Sequence, residues 1–304
     1  MNECVEAISV TTGPLALRAR LAAYAELTKA RIGVLVLIAT AVGFQLSLPD
    51  YPIVGTWTLL VHTLIGTALT VAGANALNQW WEVGHDRQMA RTEHRPLPSG
   101  RLAGAEALAF AIGCAVVGVT YLAAQVNGLS SLLALTAVLS YALVYTPLKR
   151  RTSACVLVGA VPGALPPVIG WAAGAGELSV GAWILFGIVF FWQLPHFAAI
   201  AWQYRDDYAR AGYPMLAVID TDGTRTNLHV VTHTVALLAV SLLPSMYRLT
   251  GTAYALGALV FGLCFLGIGI WFLAHKTNSA ARLHVVASII YLPLLLALMM
   301  IDKV

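Results

Sequence analysis

Asn78, Glu82 and Asp86 recur every four residues in the stretch Asn78-Gln79-Trp80-Trp81-Glu82-Val83-Gly84-His85-Asp86. On a helix each steps only about 40° around the axis from the last, so three oxygen-bearing side chains point one way. Hard cations take oxygen ligands, and Mg2+ is commonly held by one or two carboxylates completed by substrate phosphates. Arg87, Arg91 and Arg95 continue the period. Arginine binds phosphate bidentately and keeps its charge at any physiological pH. The combination suits a metal-bridged diphosphate. A charged loop at a membrane surface, with Glu82 and Asp86 as exposed counter-charges, is the competing reading of the same spacing.

A second polar stretch, Tyr204-Arg205-Asp206-Asp207-Tyr208-Ala209-Arg210-Ala211-Gly212-Tyr213-Pro214-Met215-Leu216, carries two adjacent carboxylates. Adjacent helical side chains point about 100° apart, so one of Asp206 and Asp207 is expected to face the centre that Asp86 faces. A third stretch, Tyr145-Thr146-Pro147-Leu148-Lys149-Arg150-Arg151, offers Lys149 and Arg150 to a phosphate, although such clusters are routine at cytoplasmic helix ends. Trp192-Gln193-Leu194-Pro195-His196-Phe197 puts an ionisable residue inside an apolar run. Intramembrane histidine is a functional hypothesis by default, and imidazole can ligate haem iron. His196 could equally hydrogen-bond a carbonyl freed by Pro195. His62 reads as a packing residue, and His85 and His94 as solvated loop residues.

The elements that must position these groups are membrane helices. Of 304 residues, 59% are hydrophobic and 11% charged, against about a quarter charged in soluble domains. A soluble globular protein is excluded. Apolar runs long enough to cross about 30 Å of hydrocarbon begin at Arg31, Thr56, Gly104, Leu129, Ser153, Ser179, Leu228, Thr252 and Ala281. The expectation is an all-α, polytopic bundle of nine transmembrane helices forming one domain over residues 1–304, with residues 1–28 as a cytoplasmic tail. Glu3 and Glu6 interrupt any signal-peptide core. Cys4, Cys114, Cys155 and Cys264 are scattered and form no metal or haem-attachment pair.

Of the 18 Lys and Arg, all but Arg248 and Lys303 fall in loops on one side of such a bundle. The positive-inside rule then places the amino terminus and these loops in the cytoplasm and the carboxyl terminus outside a cytoplasmic (inner) membrane. This clustering explains the net charge of +4 without a nucleic-acid partner. The two long polar loops, about 79–103 and 203–227, lie four helices apart. They read as corresponding loops of a weak internal duplication converging on one site.

These residues resemble the intramembrane UbiA-type prenyltransferases, and within them the haem-modifying branch, over essentially the whole chain from Tyr24 onward. The resemblance is carried by Asn75-Ala76-Leu77-Asn78 leading to Glu82 and Asp86, by Met89-Ala90-Arg91-Thr92-Glu93-His94-Arg95-Pro96-Leu97, by Tyr145-Thr146-Pro147-Leu148-Lys149-Arg150, by Pro195-His196-Phe197, and by Tyr204-Arg205-Asp206-Asp207-Tyr208 with Gly212-Tyr213-Pro214-Met215. It implies nine helices around a lipid-open cavity, with Mg2+ and a prenyl diphosphate at the cytoplasmic end. It further implies farnesyl transfer from farnesyl diphosphate to a vinyl group of haem B, making haem O for haem-copper terminal oxidases. Asn78, Glu82, Asp86 and Asp207 would be catalytic and metal-holding, Arg87, Arg91, Arg95, Lys149 and Arg150 would contact diphosphate, and His196 would contact haem. Membrane lipid and a downstream haem A synthase complete the implied partners.

Two departures stand out. Relatives acting on aromatic acids tend to carry D-x3-D in the second loop, where this chain has Tyr204 and Tyr208 four apart. The first helix begins Thr28-Lys29-Ala30-Arg31 where the family commonly has Thr-Lys-Pro-Arg, a change expected to cost a helix-start signal and nothing catalytic. The rival readings are a transferase with a phenolic or quinone-precursor acceptor, which should show the fuller second motif, and a secondary transporter, whose polar groups should lie at the membrane midplane.

Overall fold

The computed structural model describes residues 14–49 and 54–304; Glu3, Cys4 and Glu6, with the signal-peptide reading that rests on them, lie outside that range. The helices are α1 (Pro14–Leu27), α2 (Ala30–Ser47), α3 (Thr56–Asp86), α4 (Gly104–Gln125), α5 (Gly128–Leu148), α6 (Cys155–Ala175), α7 (Val180–Gln203), α8 (Arg205–Arg210), α9 (Leu216–Ile219), α10 (Thr224–Met246), α11 (Thr252–His275) and α12 (Asn278–Ile301). Among the described residues, nine of these are long and apolar enough to span a membrane, all but α1, α8 and α9. Each span begins within a few residues of its expected start.

Helices α6 and α7 are the most buried spans and pack on each other, with α2 and α5 against α6 and with α10 and α12 against α7. Without a hydrophobic driving force between helices in lipid, close approach depends on small residues. A Cβ on Gly43 of α2 would lie 2.0 Å from the Pro167 carbonyl oxygen, and one on Gly170 of α6 would lie 1.9 Å from that of Thr40. Gly73 and Gly118 do the same between α3 and α4, where they meet Ala111, Ala115 and Thr70. The prolines inside α6 free backbone carbonyls of that helix; separately, the Gln193 amide of α7 donates to Ala160 O at 3.3 Å and ties the two helices together.

Residues 1–28 are not all tail, because α1 packs Ala23 and Leu27 against the Asp86 end of α3 and the Gly104 end of α4. The last carbonyls of a helix lack partners in the helix itself. Here α3 supplies them: Gln79 Nε2 donates to Glu26 O and Leu27 O at 3.0 and 2.9 Å, and Asn75 Nδ2 donates to Thr28 O at 3.0 Å. The chain then breaks at Lys29, whose backbone is left-handed (φ 53°, ψ 49°), and restarts as α2. In α5, residues Ser140–Tyr145 widen into a π-helical turn before Pro147. Such turns mark functional positions, and this one stacks Tyr141 on Tyr145 at 5.2 Å just ahead of Lys149.

Candidate active site

The expected row on α3 forms as the spacing dictates. Asn78, Glu82 and Asp86 occupy one buried face of its last turns. Each of these oxygen-bearing groups meets one cation, and each cation comes from a different segment. Lys29 Nζ donates to Asn78 Oδ1 at 3.1 Å from the α1–α2 break. Lys149 Nζ donates to both Glu82 carboxylate oxygens at 3.0 and 3.2 Å from the end of α5. Arg95 Nη1 donates to Asp86 Oδ2 at 2.8 Å from the loop after α3. Asn78 is oriented by its own amide, which donates to Thr146 Oγ1 at 3.2 Å.

The four-residue period does not continue past Asp86. The helix ends there, with Arg87 as its cap, and residues 87–103 run as successive turns. Arg87 is therefore exposed and lines a cleft of about 300 Å3 with Trp80, Val83 and Leu97, on the opposite side of α3 from the carboxylate row. Arg95 is brought back onto Asp86 by the turns, while Thr92 Oγ1 donates to the Asp86 carbonyl at 3.0 Å. Arg150 is exposed at the rim and donates to the Trp81 carbonyl, because it follows Lys149 by one residue and points away from it. Thus the structure gathers Arg95 and Lys149 at the carboxylates, places Arg91 at their edge, and does not bring Arg87 or Arg150 to them.

The second loop does meet the first. Asp207 Oδ2 accepts the Arg91 backbone N–H at 3.3 Å, and the Arg91 guanidinium lies 5.1 Å from the Tyr204 ring centre. Asp206 is exposed, so Asp207 is the one of the two carboxylates that meets the first loop. Asp207 also pairs with Arg210. All of these carboxylates gather at one end of the bundle, an arrangement unlike a midplane transport site.

Several site residues carried no separate signal in the sequence reading. Lys29 is half-buried, and burial together with the nearby Arg95 and Lys149 charges pulls its ammonium down to about 7. Tyr213 is fully buried, with its ring 4.5 Å from Lys149 Nζ; Tyr208 packs edge-on against it. The Tyr213 hydroxyl has its proton held more tightly than usual by burial and by the neighbouring Glu82 and Asp86 charges. A left-handed turn at Gly212 (φ 71°) aims it inward. His85 is the penultimate residue of α3 and packs 5.0 Å from Tyr213, so it is not a solvated loop residue. His94 is exposed as expected, and His62 bonds Tyr121 Oη at 2.6 Å within the packing.

Two buried atoms among these groups have no hydrogen-bond partner: Asp86 Oδ1 and Tyr213 Oη. Leaving a buried acceptor unpaired costs about 1–3 kcal/mol. Among the described residues no three His, Cys, Asp or Glu side chains converge on one point. A donor set of one amide oxygen and two carboxylates, one with a free sealed oxygen, fits a hard cation whose shell is completed by phosphate oxygens.

His196 lies apart from this end, seven residues before the end of α7, or about 10 Å along the helix at 1.5 Å per residue. Its Nδ1 is 2.6 Å from Ser288 Oγ of α12, so it does not cap a carbonyl freed by Pro195.

The UbiA prenyltransferase family model matches residues 36–292. The chain is 45% identical over 289 residues to "Protoheme IX farnesyltransferase" of Solibacter usitatus, covering 92% of this chain and 98% of that protein. It is also 45% identical to the protein of the same name from Myxococcus xanthus, covering 92% and 94%. Among solved structures, digeranylgeranylglyceryl phosphate synthase superposes with a TM-score of 0.77 at 17% identity over 93% of this chain and 98% of that one. A UbiA homolog from Archaeoglobus fulgidus bound to GPP and Mg2+ superposes with a TM-score of 0.66 at 16% identity over 91% and 99%. The two structures share the fold, and the coverage of the family model together with the 45% relatives means that this chain belongs to the UbiA prenyltransferase family.

Proposed function

We propose that the chain transfers a farnesyl group from farnesyl diphosphate to a vinyl group of haem B, yielding haem O. The observation that carries the chemistry is the buried row Asn78, Glu82 and Asp86, each member met by a separate cation. The observation that selects the acceptor is the likeness to proteins named protoheme IX farnesyltransferase.

Asn78, Glu82 and Asp86, with Asp207 opposite, are the residues that would hold Mg2+, which supplies Lewis-acid neutralisation of diphosphate charge. Removing one partner of a buried ion pair leaves an uncompensated charge costing about 3–5 kcal/mol. Lys149 meets that need at Glu82 and Arg95 at Asp86, while Lys29 lies on the neutral Asn78 amide. A bound diphosphate would draw the same N–H groups, which would stabilise the charge that develops as the C1–O bond breaks. The buried Tyr208 and Tyr213, with the half-buried stacked pair Tyr141 and Tyr145, would exclude water at that moment and offer ring faces to the allylic cation. The vinyl group donates its electron pair to C1, and water captures the resulting porphyrin-side cation, losing a proton to give the hydroxyl. Arg91 steadies the second loop through its backbone bond to Asp207.

The charge distribution supports an inner-membrane protein with its amino terminus and this site on the cytoplasmic side and its carboxyl terminus outside. A haem A synthase consuming haem O is the downstream partner of this reading. The decisive experiment incubates purified protein with haem B, farnesyl diphosphate and Mg2+ and follows haem O by mass spectrometry. The expected result is haem O that disappears in EDTA and returns with Mg2+. No haem O under any of these conditions refutes the acceptor, and full activity in chelator refutes the metal.

A further inference from the structure

Ser288 makes more contacts than packing requires. Its hydroxyl donates to the Val285 carbonyl at 2.6 Å, one turn back on α12. Its oxygen also lies 2.6 Å from His196 Nδ1, and its own carbonyl accepts the Trp192 indole N–H at 2.8 Å. Trp192 and His196 are four residues apart on α7 and so share a face. Their rings stack at 5.1 Å with 16° between planes. One residue of α12 therefore holds the plane of both aromatic groups.

A serine hydroxyl has a single hydrogen. With that hydrogen assigned to Val285 O at 2.6 Å, the network is satisfied when the Ser288 oxygen accepts from His196 and Nδ1 carries the imidazole proton. The other nitrogen, Nε2, is then an unprotonated lone pair, and no hydrogen-bond partner for it exists among the described residues. Metal-ligating histidines are held in this way, with the remote N–H given to an oxygen that fixes tautomer and ring orientation.

We infer that Ser288 is a positioning residue that sets the His196 tautomer and presents Nε2 as an axial ligand to the iron of the porphyrin acceptor. The inference rests on haem B as acceptor. Trp192, through the backbone of Ser288, keeps its place even when the hydroxyl is removed.

The test titrates ferric haem B into the purified full-length protein and records the Soret and visible bands. Wild type is expected to show a histidine-ligated spectrum. His196→Gly loses that spectrum and regains it with millimolar imidazole. Ser288→Ala weakens haem binding about ten- to hundredfold, the usual effect of losing a ligand's supporting partner, whereas Ser288→Thr, which keeps the hydroxyl, holds haem as wild type does. Farnesyl diphosphate binding unchanged in every variant establishes that the fold is intact. If wild type makes haem O yet His196→Gly keeps the same spectrum, or Ser288→Ala binds haem normally, the inference is overturned while the reaction stands. Wild type that neither binds haem nor makes haem O overturns both.

Discussion

Asp86 accepts Arg95 on Oδ2 at 2.8 Å and keeps Oδ1 buried without a partner. One carboxylate thus anchors the loop that follows α3 and still has a coordination position in reserve. Asp86→Asn keeps the shape of the group and removes its charge. Turnover is expected to fall at least about a hundredfold, as for loss of one strong electrostatic stabiliser, while the protein remains folded and binds haem. Glu93→Gln is the control: Glu93 is exposed and touches only His94 at 3.4 Å. A normal rate in Asp86→Asn, or an equal loss in Glu93→Gln, removes Asp86 from the chemistry.

Asp206 and Asp207 separate in the same assay. Asp207 reaches the first loop through the Arg91 backbone, and Asp206 is exposed. Asp207→Asn is expected to cut kcat/KM for farnesyl diphosphate by ten- to hundredfold, and Asp206→Asn to change it less than twofold, as for an ordinary surface charge, at about 0–1 kcal/mol. Equal effects would mean that the loops move together before catalysis and that this contact does not decide which carboxylate works.

The α3 row was legible because helical spacing alone fixes which side chains share a face, and Asn78, Glu82 and Asp86 need no other element to align. The arginines after it were not, since their period assumes a helix that stops at Asp86; only Arg95 returns to the row, and it does so through turns. Neither residue type nor spacing could distinguish Asp206 from Asp207, because the answer lies in where Arg91 presents its N–H. The nine spans among the described residues were legible from length and hydropathy. Their packing was legible less directly, since Gly43 and Gly170 read simply as interruptions until Pro167 and Thr40 are seen against them.

That packing gives a stability prediction. Gly170→Ala would put a methyl 1.9 Å from the Thr40 carbonyl oxygen, backbone against backbone, where no side chain can move aside. Overpacking of this kind costs about 1–3 kcal/mol. The detergent-solubilised melting temperature should fall by several degrees. Gly33→Ala, on α2 with nothing near its added methyl, should not lower it. If the two variants melt alike, the α2–α6 contact is looser than the structure has it.

Lys29 has its nearest polar partner 49 residues away, on Asn78. It reaches Asn78 because Asn75 and Gln79 dock the α1 carboxyl end onto α3 and the backbone turns left-handed at Lys29 itself. The departure from the family's Thr-Lys-Pro-Arg start therefore leaves the lysine beside Asn78, a place in the site that the sequence reading did not give it. Lys29→Met keeps the stem and removes the ammonium. A charge-assisted hydrogen bond contributes about 1.5–3 kcal/mol, so kcat/KM for farnesyl diphosphate should fall about ten- to hundredfold, with haem affinity unchanged. Gln79→Ala should produce a smaller loss of the same kind by loosening the break that aims Lys29. An unaltered kcat/KM in Lys29→Met would reduce this lysine to a structural partner of Asn78.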